Sequence, residues 1–241
     1  MKTIGLIGGT TWHSTIEYYR LLNQKINTRL GGVHSAKVVM YSVEFAEVSA
    51  LQKEHRWDEL TAVYTTIART LENAGADCLL LGANTMHKMA EDIQAALHIP
   101  IIHIGEATAA AVKQAGVKKV ALMGTKYTME SDFYEKKLAL HGREMILPLE
   151  SERDFIHAAI YDELARGIFR EETRRHFVSV IGSLVARGAE GVILGCTEIP
   201  LLIAQRDAPV PVFDTTDIHA TAAVEYALKP APALSASEES H

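Results

Sequence analysis

A cysteine and a threonine at matching places carry the plainest chemistry in this sequence. Gly195-Cys196-Thr197-Glu198 closes the apolar run Gly191-Val192-Ile193-Leu194. Leu80-Leu81-Gly82-Ala83-Asn84-Thr85 likewise runs an apolar segment into a glycine and then a threonine. If each glycine opens a loop after a strand, Thr85 stands where Cys196 stands, 111 residues away (196 − 85). A thiolate is a competent base near neutral pH once its pKa is lowered, whereas an aliphatic hydroxyl is not. One of each on facing loops could take a proton on one side and position substrate or a proton on the other.

Each residue also has a plain structural role open to it. Cys196 could be a small buried side chain, and Thr85 could cap the helix that follows it. Position favours chemistry for Cys196. It follows a glycine at a strand end and precedes a helical pattern whose free N–H groups would favour a thiolate. Glu198 works against that, because a nearby carboxylate disfavours a second anion. It is expected either to hydrogen-bond the Cys196 loop or to begin the helix.

Other chemistries find no pattern. Gly5-Leu6-Ile7-Gly8-Gly9 lacks the third glycine of a dinucleotide loop, and no Gly-Lys-Ser/Thr occurs. His87, His98, His103 and His157 have no metal-ligand spacing, so no metal is expected. No serine sits in a Gly-x-Ser-x-Gly elbow. Only two cysteines occur, Cys78 and Cys196, which rules out a disulfide framework. Cys78 precedes an apolar run and is expected to be buried. With 24 Lys+Arg against 30 Asp+Glu and no dense basic run, neither nucleic acid nor an anionic membrane is an expected partner. No apolar run nears the roughly 20 residues that span a bilayer. The N-terminus does not read as a secretory signal, so a cytoplasmic location is expected.

The elements that must position these loops alternate between strand and helix patterns, which predicts an α/β fold with mainly parallel sheets flanked by helices. Residues 3–7 read as a strand ending at Gly8-Gly9. Ser14-Thr15-Ile16-Glu17 reads as a capping box, opening a helix that stops at Gly31-Gly32. Strands follow at 38–43, 78–81 and 101–104, with helices at 57–73 and about 88–97. Lys118-Lys119-Val120-Ala121-Leu122-Met123-Gly124-Thr125 then repeats the pattern of residues 2–10: a lysine, an apolar strand and a Gly/Thr loop. The offset from Thr10 to Thr125 is 115 residues (125 − 10), close to the first, as a duplicated unit would give. Helices at about 130–140, 154–166, 171–187 and 215–228 and strands at 145–147, 192–194 and 210–213 complete the chain. Two pseudosymmetric lobes are expected, residues 1–103 plus 208–229 and residues 104–207, with a frayed tail at 230–241. The last strand and helix are assigned to the first lobe because no other sheet is in view after Pro209. Ligands of such sheets sit beyond the strands' carboxyl ends. The Gly- and Thr-rich loops there, with free helix N–H groups, suit a small anion.

Four of these stretches together resemble the aspartate/glutamate racemase family: Ile7-Gly8-Gly9, Asn84-Thr85-Met86-His87-Lys88, Gly124-Thr125-Lys126-Tyr127-Thr128-Met129 and Gly195-Cys196-Thr197-Glu198-Ile199. The likeness runs nearly end to end, to about Leu228. It implies two lobes with substrate between them, no cofactor, and two facing cysteines as base and acid. Here Thr85 holds the first cysteine's position, which resembles the L-aspartate/glutamate-specific branch. The resemblance then gives Cys196 the α-proton of the L isomer and leaves Thr85, or water relayed through it, to serve the other face. It further implies that Asn84, Thr125, Thr197 and the Cys196 loop hold the α-carboxylate. Gln52 is placed at the distal carboxylate, where many relatives carry Arg, and an amide there would weaken selection for charge. Tyr127, Thr128 and Glu198 join the lining. A homodimer is a further implication. A decarboxylase, a cis–trans isomerase or a hydantoin racemase acting on a small acid, or a non-enzymatic dicarboxylate binder, are the alternatives.

Overall fold

Two parallel β-sheets organise the computed structural model, which describes residues 1–230. The expected tail therefore lies, from residue 231 onward, outside the described residues. The first sheet has the order β2-β1-β3, from β1 (Ile4–Gly8), β2 (Val38–Ser42) and β3 (Cys78–Leu81). The second has the order β5-β4-β6-β7, from β4 (Lys119–Gly124), β5 (Glu144–Ile146), β6 (Gly191–Gly195) and β7 (Val212–Asp214). β1, β3 and β6 are buried along their whole length. That is why they read as unbroken apolar runs and not as alternating ones.

Parallel neighbours need crossovers, and helices supply them. The first half contains α1 (Trp12–Leu30), α2 (Phe45–Lys53), α3 (Trp57–Asn73), α4 (Ala90–Gln94) and α5 (Ile104–Gln114). The second contains α6 (Lys126–Met129), α7 (Phe133–Leu140), α8 (Glu150–Asp162), α9 (Glu171–Ala186), α10 (Ile199–Leu202) and α11 (Thr215–Leu228). α3 shows the local logic: Leu60, Tyr64, Ile67, Ala68 and Leu71 recur at three- and four-residue steps and are its buried face.

The internal duplication extends further than the two loops. Pro100 and Pro211 share the 111-residue spacing, and each accepts a backbone N–H from the neighbouring strand, from Leu79 and Val192. His103 and Asp214 are spaced alike and cap α5 and α11 through their side chains. The two helices are then exchanged. Ile104, Ala109 and Val112 of α5 belong to the core under the second sheet. Ala220, Ala223, Val224 and Ala227 of α11 join Ile4, Leu6 and Tyr18 in the core of the first.

Several expectations need correction. α1 begins at Trp12, with the Thr11 hydroxyl accepting the Ser14 N–H. Ser14 and Thr15 are thus inside the first turn, and no capping box forms at Ser14. Residues 101–104 give a single bridge, Leu79 to Ile101, because His103 already caps α5. The last strand does not return to the first sheet. β7 pairs with β6, Val192 opposite Val212, because the short link from α10 reaches only the vacant edge beside β6. α11 does pack on the first half, as expected. The helix at 88–97 is a 3₁₀ turn, Thr85–Met89, followed by α4, and that at 130–140 is α7, which starts later, at Phe133, after the separate short helix α6.

Candidate active site

Both halves send loops into one small cavity of about 40 Å³. Thr10, Thr11, Asn84 and Thr85 come from the ends of β1 and β3, and Thr125, Cys196, Thr197 and Glu198 from the ends of β4 and β6. Gly124 and Gly195 make this approach possible. A Cβ at Gly124 would lie 2.7 Å from the Gly195 carbonyl oxygen, so β4 and β6 could not end this close with side chains there.

Cys196 is 7% exposed and donates to Glu198 Oε2 at 2.9 Å. Thr197 Oγ1 donates to the same oxygen at 2.7 Å. Oε1 accepts from Thr11 Oγ1 at 2.9 Å and Ser14 Oγ at 2.7 Å. Four donors fill the carboxylate's acceptor capacity, two of them from the opposite half of the molecule. Burial, followed by the charge of Glu198 and the hydrogen bond to it, pushes the Cys196 thiol well above its ordinary pKa. The backbone N–H groups of Glu198 and Ile199 pull it down, as the helix start suggested, but they are outweighed. The thiol form is therefore favoured in the empty cavity, with its proton aimed at Glu198.

Thr85 has a different neighbourhood. Its hydroxyl lies 3.1 Å from both Thr125 Oγ1 and Thr128 Oγ1, which are 3.2 Å apart. The three form a closed triangle of hydroxyls. Thr125 also accepts the Thr128 N–H and so caps α6. Thr85 itself makes no side-chain cap to the turn it begins. Thr128 belongs to this triangle and does not line the cavity directly.

Gln52 lies on the cavity wall, 2% exposed, and accepts from Tyr161 Oη at 3.4 Å. Asn84 reaches the wall. Nδ2 donates to Thr215 Oγ1 at 3.0 Å, and Oδ1 accepts from Tyr134 Oη at 2.5 Å. Its side chain ties β3 to α7 and α11, which holds the Asn84-Thr85 backbone at the cavity. Tyr127 stands outside the central cavity, in an outer groove with His55, Trp57 and His157, because α6 turns its ring away from β6. Sequence reading placed the loop of Thr10 and Thr11 at a ligand-binding strand end without assigning either residue a role, and missed Ser14, Phe45, Ile160, Tyr161 and Ala165. Phe45, Ile160 and Tyr161 enter from α2 and α8, and no local motif marks which face of those helices turns inward.

The sequence model of the Asp/Glu/Hydantoin racemase family matches residues 7–223. An Asp/Glu racemase candidate from Yersinia pestis is 48% identical, covers 95% of this chain and 100% of its own, and superimposes with a TM-score of 0.89. An aspartate racemase homologue from Pyrococcus horikoshii is 36% identical, with coverage of 95% and 100% and a TM-score of 0.81. The broad specificity amino-acid racemase RacX of Bacillus subtilis is 28% identical over 162 residues, 66% of this chain and 68% of that protein.

Proposed function

This chain belongs to the Asp/Glu/hydantoin racemase family, and we propose that it is a cofactor-independent amino-acid racemase with Cys196 as the base for the L isomer. The observation that carries the reading is the Cys196–Glu198 pair, buried in a cavity whose other half contributes Thr85. In the proposed cycle the thiol proton moves to Glu198 along the 2.9 Å bond, and the thiolate takes the α-proton. The C–H electron pair passes into the α-carboxylate, where the Thr125 hydroxyl and the backbone N–H groups of Thr125 and Thr197 stabilise the growing charge. A proton from water held at the Thr85 triangle reaches the opposite face. Return of the proton from Glu198 to Cys196, with loss of the abstracted proton to solvent, restores the site.

One thiol makes the cycle lopsided. A hydroxyl is too poor a base to start efficiently from the D isomer. The substrates the resemblance implies are L-aspartate and L-glutamate, and several relatives are named for them, whereas RacX is named for broad specificity. α-Proton exchange in D₂O, followed by proton NMR from separate L and D amino acids, tests the reaction. L isomers are expected to lose their α-proton signal much faster than D isomers. Absence of exchange from every amino acid would sink the proposal.

A further inference from the structure

The cavity divides by chemistry. Its inner end, around Cys196, is rich in hydroxyls and backbone donors, and its outer end is lined by Phe45, Ile160, Tyr161, Ala165 and Gln52. No Lys, Arg or His lines either end, and Glu198 is the single ionisable carboxyl or basic group among the lining residues described. Resting on the racemase reading, we propose that the substrate's side chain is uncharged, and that the site discriminates against aspartate and glutamate in favour of their amides.

The charge balance carries this. A bound zwitterion brings one carboxylate and one ammonium. The Cys196–Glu198 pair, sharing one proton, adds a negative charge. An uncharged side chain leaves the enclosed site one charge negative. A second substrate carboxylate makes it two, with no protein cation to answer it. A carboxylate without a cationic partner loses hydration on entering such a site, and the like charge adds to that cost.

Gln52 is suited to a neutral guest. Its Oε1 accepts from Tyr161 at 3.4 Å, and its Nε2 can donate to an amide carbonyl, a hydroxyl or a carboxylate but brings no positive charge to answer the last. Phe45, Ile160 and Ala165 offer only apolar contact beside it. The adjoining groove, which shares Gln52 and Tyr161 with the cavity, holds Lys53 and His157 beside Asp162, and Lys126 is paired with Asp154; none of these basic side chains is among the cavity's lining.

Initial α-proton exchange rates in D₂O should be compared within isosteric pairs, L-glutamine with L-glutamate and L-asparagine with L-aspartate. At least tenfold higher kcat/KM for the amide of each pair is expected. Equal rates, or faster exchange of the acids, overturn the proposal. Exchange of no substrate would sink the racemase reading. Binding then decides the specificity separately: calorimetry on Cys196→Ala should show L-glutamine binding at least tenfold more tightly than L-glutamate, and the reverse order overturns it. Gln52→Arg, which puts a guanidinium at the outer end, should move the glutamate-to-glutamine ratio toward glutamate by at least tenfold. A folded variant with an unmoved ratio would show that the side chain does not lie against Gln52.

Discussion

Cys196 and Thr85 each stand just past a buried strand, but their neighbours differ. The second half gives Cys196 a carboxylate two residues on, and the first half lends Thr11 and Ser14 to hold that carboxylate in place. At the position spaced like Glu198, the first half carries His87. That ring turns away from the cavity, packs against His103 at 4.9 Å, and leaves Nε2 without a partner. Burial holds His87 well below its ordinary pKa, so it is a neutral core residue. Thr85 meets only hydroxyls. The duplication thus preserves the backbone spacing while a proton-accepting partner exists on one side alone.

The largest test of this asymmetry is Cys196→Ala, which should lower α-proton exchange by at least about a thousandfold. A smaller loss would mean that the base lies elsewhere. Thr85→Cys restores a thiol to the weaker side and should raise exchange from D substrates about tenfold, less than a full partner would give because no carboxylate stands beside it. An unchanged D-to-L ratio breaks the account. Glu198→Gln removes the charge that raises the Cys196 pKa. Burial, the larger cause, stays, so the pH limb of thiol alkylation should move down without returning to that of an exposed thiol. A limb that stays put would show the pair to be uncoupled.

The last test reads stability and not catalysis, and concerns the histidines on the first side. His103 and His219 are held at about 4, chiefly by burial, and His87 is lowered as well. An unfolded chain binds these protons near pH 6.5, whereas the folded protein refuses them until near pH 4. Stability is therefore complete above about pH 6.5 and declines as pH falls toward 4, by up to about 1.4 kcal/mol per pH unit per histidine. Urea unfolding at pH 7 and pH 5 measures it, and equal midpoints would contradict the neutral assignment.

Much of this was legible in the chain. Buried parallel strands leave continuous apolar runs, so 78–81 was readable to its ends, as were the helices 57–73 and 215–228. Thr85 and Cys196 were found because glycine and a polar residue must follow such strands to admit a ligand. What failed depended on tertiary partners. Ser14 looked like a cap, and its hydroxyl instead serves Glu198 across the cavity. The side-chain partners of Asn84, Tyr134 and Thr215, lie 50 and 131 residues away in sequence and left no local signal. The thiol's pKa could not be read from helix N–H groups alone, because burial is set by the whole fold. β7 was misplaced because a strand's sheet depends on which edge lies within reach.

The exchange of α5 and α11 also bears on how the protein is made. α11, the last helix described, shares with α1 the cover on one face of the first sheet, so that face stays partly bare until residues beyond 215 have left the ribosome. The usual order of synthesis, with the N-terminal unit folding while the rest is being translated, is not open to this chain. Its halves must close together, and a nascent chain stalled after residue 207 should still be sensitive to protease in its first half.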